Sequence, residues 1–570
     1  MPGPIAPDEL LIQAHRDRHP GEMGVQYVAS RLVELTGSEW LADRVMAGLT
    51  KVGRTAGRLL GRNGSDHAFR FRPCWPPDDE GKTIVERMRR DAGAALSLCG
   101  QRPRLRILLT GATGFLGQEI LVRAAEEPHI EEVVCLVRPQ KVRHRSTGRV
   151  VRVLGARQRG LCLLRRLGIA RRAAAKFRFV AGDIEKRWLA LAAGEVRRLE
   201  RTITHVVHGA ASVAFDDSYG SSFRANVLGS RNALDLSLRL QRAAGSPFVA
   251  HLAVETSYVH GRTHLGFAPE GRLEFPPDYY NNFYELTKAL ATLETERALW
   301  QRGLRVVQIL PSIVVGDSRT GNNHGDTKVV NAPINVFGRI RDALDTLPPG
   351  WGGRLRALMV RAVATAFPAD ASAELNLVPV DRVATGVLAA LAIPEAIGTR
   401  IHLATDRRIR SAEMARVIRQ EIGISVRMVD PTVTRNLTLP LATSLLSALG
   451  QRKLASALER LETIFGAYSE WGQPVHGVGN DVKVLGLPAR RPDSVQAFRM
   501  LCRHNRYVLG FGRVQDPDEI ARRERRWQET LDEIEFETGR PAGTLPPAQF
   551  REQIQPLLDL WRVRSHGARA

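Results

Sequence analysis

Short apolar runs recur through the middle of the chain and alternate with stretches of helical spacing. Arg106–Thr110 is the first run and Val133–Val137 the second. Phe177–Ala181, His205–His208, Phe248–Leu252 and Val306–Leu310 continue the series. Runs without strict polar alternation suit strands buried on both faces. The pattern predicts an α/β fold: a Rossmann-type, doubly wound parallel sheet with a smaller substrate-binding part. Before it, Val25, Val28, Leu32 and Leu35, then Leu41, Val45 and Leu49, fall at helical spacing. They predict two amphipathic helices, followed by a looser stretch containing Phe71–Glu80. After about Arg427 the chain reads as helix-rich. Its charge run Ala521–Arg526 is most simply a solvated helix face. The expected organisation is a helical extension over 1–102, a Rossmann-type domain over 103–426 and a helical region over 427–570.

Composition changes this picture little. Of 570 residues, 44% are hydrophobic and 25% charged, an ordinary globular balance. The net charge of +22 raises nucleic acid, anionic membrane or an acidic partner. Arginine outnumbers lysine along the whole chain, as a GC-rich genome would produce, and no nucleic-acid recognition motif occurs. Compositional bias plus an anionic substrate is the preferred explanation, and no nucleic-acid partner is expected. Arginines concentrate between Arg143 and Arg178, which reads as a surface insertion with helices. The cysteines Cys74, Cys99, Cys135, Cys162 and Cys502 are scattered, with no C-x-x-C. Neither a disulfide framework nor a zinc site is expected, and a reducing, cytoplasmic compartment is. Met1–Glu9 lacks the basic head and apolar run of a secretory signal. No stretch reaches the ~18 apolar residues of a spanning helix. Leu437–Leu449, interrupted by Pro440, reads as a short buried helix, with an interfacial role and peripheral membrane contact left open.

The chemistry begins directly after the first run. Gly111-Ala-Thr-Gly-Phe-Leu-Gly117 places three glycines between a strand and a helix expected over Gln118–Ala125. Gly111 permits a tight turn, Gly114 lets backbone approach a pyrophosphate, and Gly117 lets the helix pack closely. The helix N-terminus then offers N–H groups and a positive dipole end to phosphates. Strand, turn, helix and next strand together predict a dinucleotide site. The second strand ends at Arg138, where NAD binders often carry an acidic residue for the ribose 2′-hydroxyl. Arginine suits a 2′-phosphate and favours NADPH over NADH. The alternative is that Arg138 is one member of a basic surface.

Tyr284-Glu-Leu-Thr-Lys288 sets a tyrosine and a lysine four apart, on one face of a predicted helix. Lys288 can help hold the ribose while its charge lowers the pKa of Tyr284. A tyrosine so tuned moves the proton that accompanies hydride transfer. A hydroxyl at the end of the fifth strand would complete the set by bonding the substrate oxygen. Thr256 and Ser257 both qualify.

These residues carry a resemblance. The stretch from about Arg104 to Leu403 resembles an extended short-chain dehydrogenase/reductase. The glycine turn, Gly182-Asp-Ile184, His208-Gly-Ala-Ala211, Asn226–Asn232, Leu310–Gly321 and Leu377–Ala384 are each similar to a family segment. Three details are similar to the fatty acyl-CoA reductase and thioester-reductase branch, which carries the male-sterility-type NAD-binding domain. They are Cys135–Pro139, Ala210–Asp216 and Glu255–Gly261. The resemblance implies a triad of Thr256, Tyr284 and Lys288. It implies cofactor contacts from Gly111, Thr113, Gly114, Phe115, Leu116, Gly117, Arg138, Asp183, Ile184, Ala210, Ala211, Asn226, Tyr284, Lys288, Pro311 and Ile313. Glu255, where the branch often has serine, Leu310, where it often has arginine, and His260, where asparagine is common, depart from the pattern.

The implied reaction is NADPH-dependent reduction of an acyl thioester to an aldehyde, with onward reduction to an alcohol open. The acyl group would arrive on coenzyme A or a carrier protein, both anionic, which gives the basic surface a use. Another extended reductase activity, such as an epimerase, dehydratase or hydroxysteroid-type dehydrogenase, uses the same triad. A non-catalytic dinucleotide sensor is a third reading, against which the intact triad counts.

Overall fold

Leu105–Thr110 (β1) is apolar at every position but Arg106 and Thr110, and four of its six residues have less than 2% of their surface exposed and are apolar or hydroxylic. Such a strand needs cover on both faces, and a parallel sheet supplies it. In this computed structural model β1 is an inner strand of a seven-stranded, all-parallel sheet. Its other strands are β2 (Ile130–Val137), β3 (Phe177–Ala181), β4 (His205–His208), β5 (Ala250–Val254), β6 (Val306–Pro311) and β7 (Arg400–Leu403). The spatial order β3-β2-β1-β4-β5-β6-β7 reverses direction beside β1, the switch point at which dinucleotides bind in such sheets. The sheet is a Rossmann-type fold with flanking helices.

The described residues are 76, 78–99, 104–143, 147, 149–214, 219–261, 267–271, 282–346, 350–351, 354, 358, 360, 365–429, 439–448, 452, 455–456, 458 and 473–567. The helices expected around Val25–Leu35 and Leu41–Leu49 lie outside them. The described residues group into two compact units. The first takes in the chain up to Ser312, Ala384–Ala404 and Pro474–Ala489; the second takes in Ile313–Val383, Thr405–Gln473 and Arg490 onward.

In the first unit, α1 (Asp78–Leu98) begins inside the stretch read as loose. Asp78, Asp79 and Glu80 favour its positive end, and Val85, Met88, Ala92 and Leu96 form its buried stripe. The arginine-rich insertion is not helical throughout. It opens as an antiparallel hairpin, Gln140–Arg143 with Val150–Leu154, before the helix Ala156–Arg166. The valines Val150, Val151 and Val153 favour extended backbone there. The fifth strand runs two residues later than its apolar run suggests, because Phe248 and Val249 are buried in its lead-in. Two further helices matter for the site: α3 (Gly229–Arg242) and α4 (Phe283–Trp300).

The second unit is mainly helical. Its longer helices are α5 (Asn331–Asp345), α6 (Ser411–Ile422), α7 (Ser494–Tyr507), α8 (Pro517–Thr538) and α9 (Pro547–Gly567). Trp527, Leu531, Ile534, Phe550 and Ile554 gather into one core with Met500 and Leu509. Arg503 is fully buried there, bound by both nitrogens to Glu421 at 2.8 and 3.0 Å and lying over the Phe550 ring. The charge run Ala521–Arg526 lies on α8, with Arg522 and Arg523 paired to Glu519. Leu439–Ala448 is a helix but not a buried one. Only Ala442 and Leu446 are buried, and Leu441 is 55% exposed. Its apolar residues run all round the helix instead of forming one stripe, so packing one side leaves others in solvent. Among the described residues no helix is long and apolar enough to cross a membrane.

Candidate active site

Strand register brings the carboxyl ends of β1, β4, β5 and β6 side by side. Thr110 pairs with His208, His208 with Ala253, and Val254 with Ile309. The glycine turn leaves the end of β1. Gly111 has φ +81°, and a Cβ there would sit 2.7 Å from the Gly209 carbonyl. That backbone conformation and that approach both require glycine. A Cβ on Gly117 would lie 2.1 Å from the Gly111 oxygen, so this glycine lets the helix α2 (Phe115–Glu126) start against its own turn. Gly114 is different. A Cβ there would meet only the Gly111 oxygen, at 3.2 Å, and its other side is open. It is the N-cap of α2 and supplies no side-chain cap. Thr113 and Gly114 are exposed, Phe115 and Leu116 half-buried. An open, uncapped helix end reached over bare backbone fits a pyrophosphate.

Arg138 follows the last residue of β2, with its side chain 67% exposed. Its one described carboxylate neighbour is Glu185 at 3.8 Å, and Glu185 is held more closely by Arg224 at 3.2 Å. Val137 pairs with Ala181, so Arg138 and Gly182–Ile184 leave adjacent strand ends. The Asp183 carboxylate accepts from the Glu185 N–H, and the Ile184 carbonyl accepts from Asn232 on α3.

The loop after β4 is tied down from two sides. The Ala210 N–H donates to the Thr110 hydroxyl, which also meets His208 Nδ1 at 2.9 Å. Asn226 is buried and reaches no surface. Its amide oxygen accepts from the Ser212 N–H, and its Nδ2 donates to the Ser212 carbonyl and the Thr287 hydroxyl. It thus braces the Ala210–Ser212 loop against α4. Phe215 and Asp216 lie outside the described residues.

Asn282 caps α4 by accepting from the Glu285 N–H. The helix is buried nearly all round, so both members of the Tyr284/Lys288 pair are placed by packing. A hydrogen bond joins the Tyr284 phenol and the Thr256 hydroxyl. Thr256 follows β5 and donates to the Pro311 carbonyl at the end of β6. Both candidate hydroxyls are buried, and Thr256 is the one joined to Tyr284. Lys288 Nζ donates to the Val254 carbonyl at 2.8 Å and lies 2.6 Å from Glu255 Oε2. The structure therefore brings together the glycine turn, Arg138, Asp183, Ile184, Ala210, Ala211, Asn226, Thr256, Tyr284, Lys288 and Pro311 in the first unit. Ile313 belongs to the second unit, paired with Leu377.

One expectation is corrected. Lys288 was expected to lower the Tyr284 pKa. The phenol is instead pushed above its ordinary value, first by burial, then by the negative charges of Glu255 and Glu285; the Thr256 hydrogen bond opposes them. Sequence reasoning missed the partners Thr110, Thr287 and the role of Glu255. The departure at Glu255 was the available signal, but its partner becomes visible only when α4 packs on β5.

A parallel sheet in this order, with this turn and a joined Thr256–Tyr284 pair, defines the class: an extended short-chain dehydrogenase/reductase fold that binds NAD(P). Residues 109–341 match the family model described as "Male sterility protein". The chain is similar to the nonribosomal peptide synthetase acrB of Aspergillus aculeatus, 24% identical over 440 residues, covering 74% of this chain and 26% of that protein. It is similar to the adenylate-forming reductase Nps10 of Heterobasidion annosum, 31% identical over 159 residues, covering 28% and 14%. The chain thus spans about a quarter, or less, of these relatives. Among solved structures it is similar to the terminal R domain from the myxalamid PKS-NRPS biosynthetic pathway. That match has 26% identity and a TM-score of 0.53, covering 75% of this chain and 97% of the other.

Proposed function

We propose that this protein is an NADPH-dependent thioester reductase that converts a carrier-bound or coenzyme A-bound acyl group to an aldehyde, and onward to an alcohol where the aldehyde is retained. The observation that carries the reading is the hydrogen-bonded Thr256–Tyr284 pair at the carboxyl edge of the sheet that also carries the glycine turn. Similarity to nonribosomal peptide synthetases and to adenylate-forming reductases supports a thioester substrate.

A nicotinamide bound beyond the turn would supply hydride to the thioester carbonyl carbon. Thr256 and Tyr284 would donate hydrogen bonds to the carbonyl oxygen as it gains charge. Collapse of the tetrahedral adduct then breaks the C–S bond and expels a thiolate, which takes its proton from water. In a second reduction, with hydride from a second NADPH, Tyr284 would give its proton to the alkoxide. Arg138 would take the 2′-phosphate. The exposed arginines Arg149, Arg152, Arg157, Arg165, Arg171 and Arg172 have no carboxylate paired to them among the described residues, and would attract an anionic carrier or coenzyme A. Peripheral membrane contact remains outside this proposal.

The test is incubation with NADPH and a panel of acyl-CoAs and acyl-carrier proteins, following nicotinamide absorbance and identifying products. Tyr284→Phe should lower turnover by at least ~100-fold while NADPH still binds. Turnover that survives the substitution removes the mechanism.

A further inference from the structure

Glu255 takes no part in the mechanism above, yet it sits at the heart of its geometry. It is the first residue after β5 and directly precedes Thr256. Its side chain is 1% exposed, and that of Lys288 is 3% exposed. At 2.6 Å the two make an ion pair, while the directed hydrogen bond of Nζ goes to the Val254 carbonyl. A buried carboxylate is costly unless paired, so a short contact with a buried ammonium defines a designed partnership.

We propose that Glu255 is a positioning residue that holds Lys288 against the end of β5 and cancels its charge, so that Tyr284 acts as a proton and hydrogen-bond donor and not as a base. The inference rests on the role given to Tyr284 above. Its consequence is a phenol that stays protonated, and so able to donate, across the neutral range.

The surrounding charges agree. Lys288 faces Glu255 from β5 and His208 from β4, and burial holds His208 neutral. Glu255 faces Lys288 and, at 3.4 Å, the Thr295 hydroxyl, both from α4, and Arg400 from β7. Arg400 is itself paired with Glu296 of α4 at 3.1 Å. Cation and carboxylate alternate from Lys288 to Glu296, with equal numbers of each. Tyr284 faces Thr256 and Glu255 from β5, and Glu285 from its own helix. Among the described residues, the charges that bear most on the phenol are these two carboxylates. Burial and the two carboxylates accordingly push the Tyr284 pKa up.

The experiment titrates tyrosinate by ultraviolet difference absorbance on the full chain without substrate, with Tyr284→Phe versions as blanks. In the wild type Tyr284 should contribute no signal below about pH 10, the ordinary tyrosine range. Glu255→Gln should shift the Tyr284 titration down toward that window, by at least a tenfold increase in acid dissociation. Glu255→Asp, which keeps the charge, should restore wild-type behaviour. Glu255→Gln combined with Lys288→Met removes both charges, avoids an unpaired buried ion, and should also titrate like the wild type. An unchanged titration in Glu255→Gln overturns the proposal; if that variant does not fold, a shifted titration in the double variant overturns it. Because no thioester is present, failure of thioester turnover leaves this measurement standing, and a null titration with intact turnover removes only the role of Glu255.

Discussion

Single side chains set what the site can select. Arg138 stands at the end of β2 with a mostly exposed guanidinium and only a distant carboxylate neighbour. It is free to meet a phosphate, and a charge-assisted pair of that kind contributes roughly 1.5–3 kcal/mol. Arg138→Glu should therefore reverse part of the cofactor preference, raising the Kd for NADPH relative to NADH by about tenfold or more. Isothermal titration with both cofactors checks this, and an unchanged ratio removes Arg138 from the cofactor contact. At this scale the sequence was informative where a residue type has one use. A tyrosine four before a lysine, or an arginine after a Rossmann strand, can be read in line. Glu255, Thr110 and Asn226 could not be read that way. Their work lies in partners 33, 98 and 61 positions away, Lys288, His208 and Thr287, and only packing joins them.

Elements were legible in proportion to how apolar they are. Six of the seven sheet strands announce themselves as buried runs. The seventh, Arg400–Leu403, does not, because Arg400 and His402 interrupt it. Both are nevertheless buried. The His402 N–H donates to Glu270, and the Arg400 carbonyl accepts from Asn480. The strand depends on side chains that no local pattern associates with it. The turn between β1 and α2 is the opposite case, readable from three glycines alone. Its tolerance is correspondingly low. Gly117→Ala would drive a methyl into the Gly111 carbonyl, 2.1 Å away, and backbone cannot rotate aside as a side chain can. Overpacking of this kind costs about 1–3 kcal/mol, and the displaced turn should also lose dinucleotide affinity. Urea denaturation and NADPH binding on the same variant check both effects; wild-type values for both would mean that α2 accommodates the methyl.

At the scale of the molecule, the first unit stores its acid sensitivity in buried histidines. Burial pushes His205 and His251 down to about 3 and His402 down to about 4. Each folded value lies below the ordinary ~6.5 of an unfolded chain. The stabilising contribution is complete above about pH 6.5 and is lost as pH falls toward the folded values, because the unfolded chain binds protons that the fold excludes. At about pH 5 the loss amounts to about 2 kcal/mol per histidine. Denaturation midpoints should fall steadily between about pH 7 and about pH 5, and less steeply in His402→Gln; a flat profile would refute the assignment. Such a network is invisible in composition, since histidines spread along a chain say nothing of shared burial. The division into two units has a further consequence, for synthesis. The ribosome delivers six strands of the sheet by Pro311, then just under ninety residues pass before β7, and Pro474–Ala489 follows later still. At roughly 5–20 residues per second, the nascent sheet waits several seconds or more with its β6 edge unpaired. That interval is when the chain is most exposed to chaperones, and slowing translation after residue 311 should lower the yield of native protein more than slowing it after residue 489.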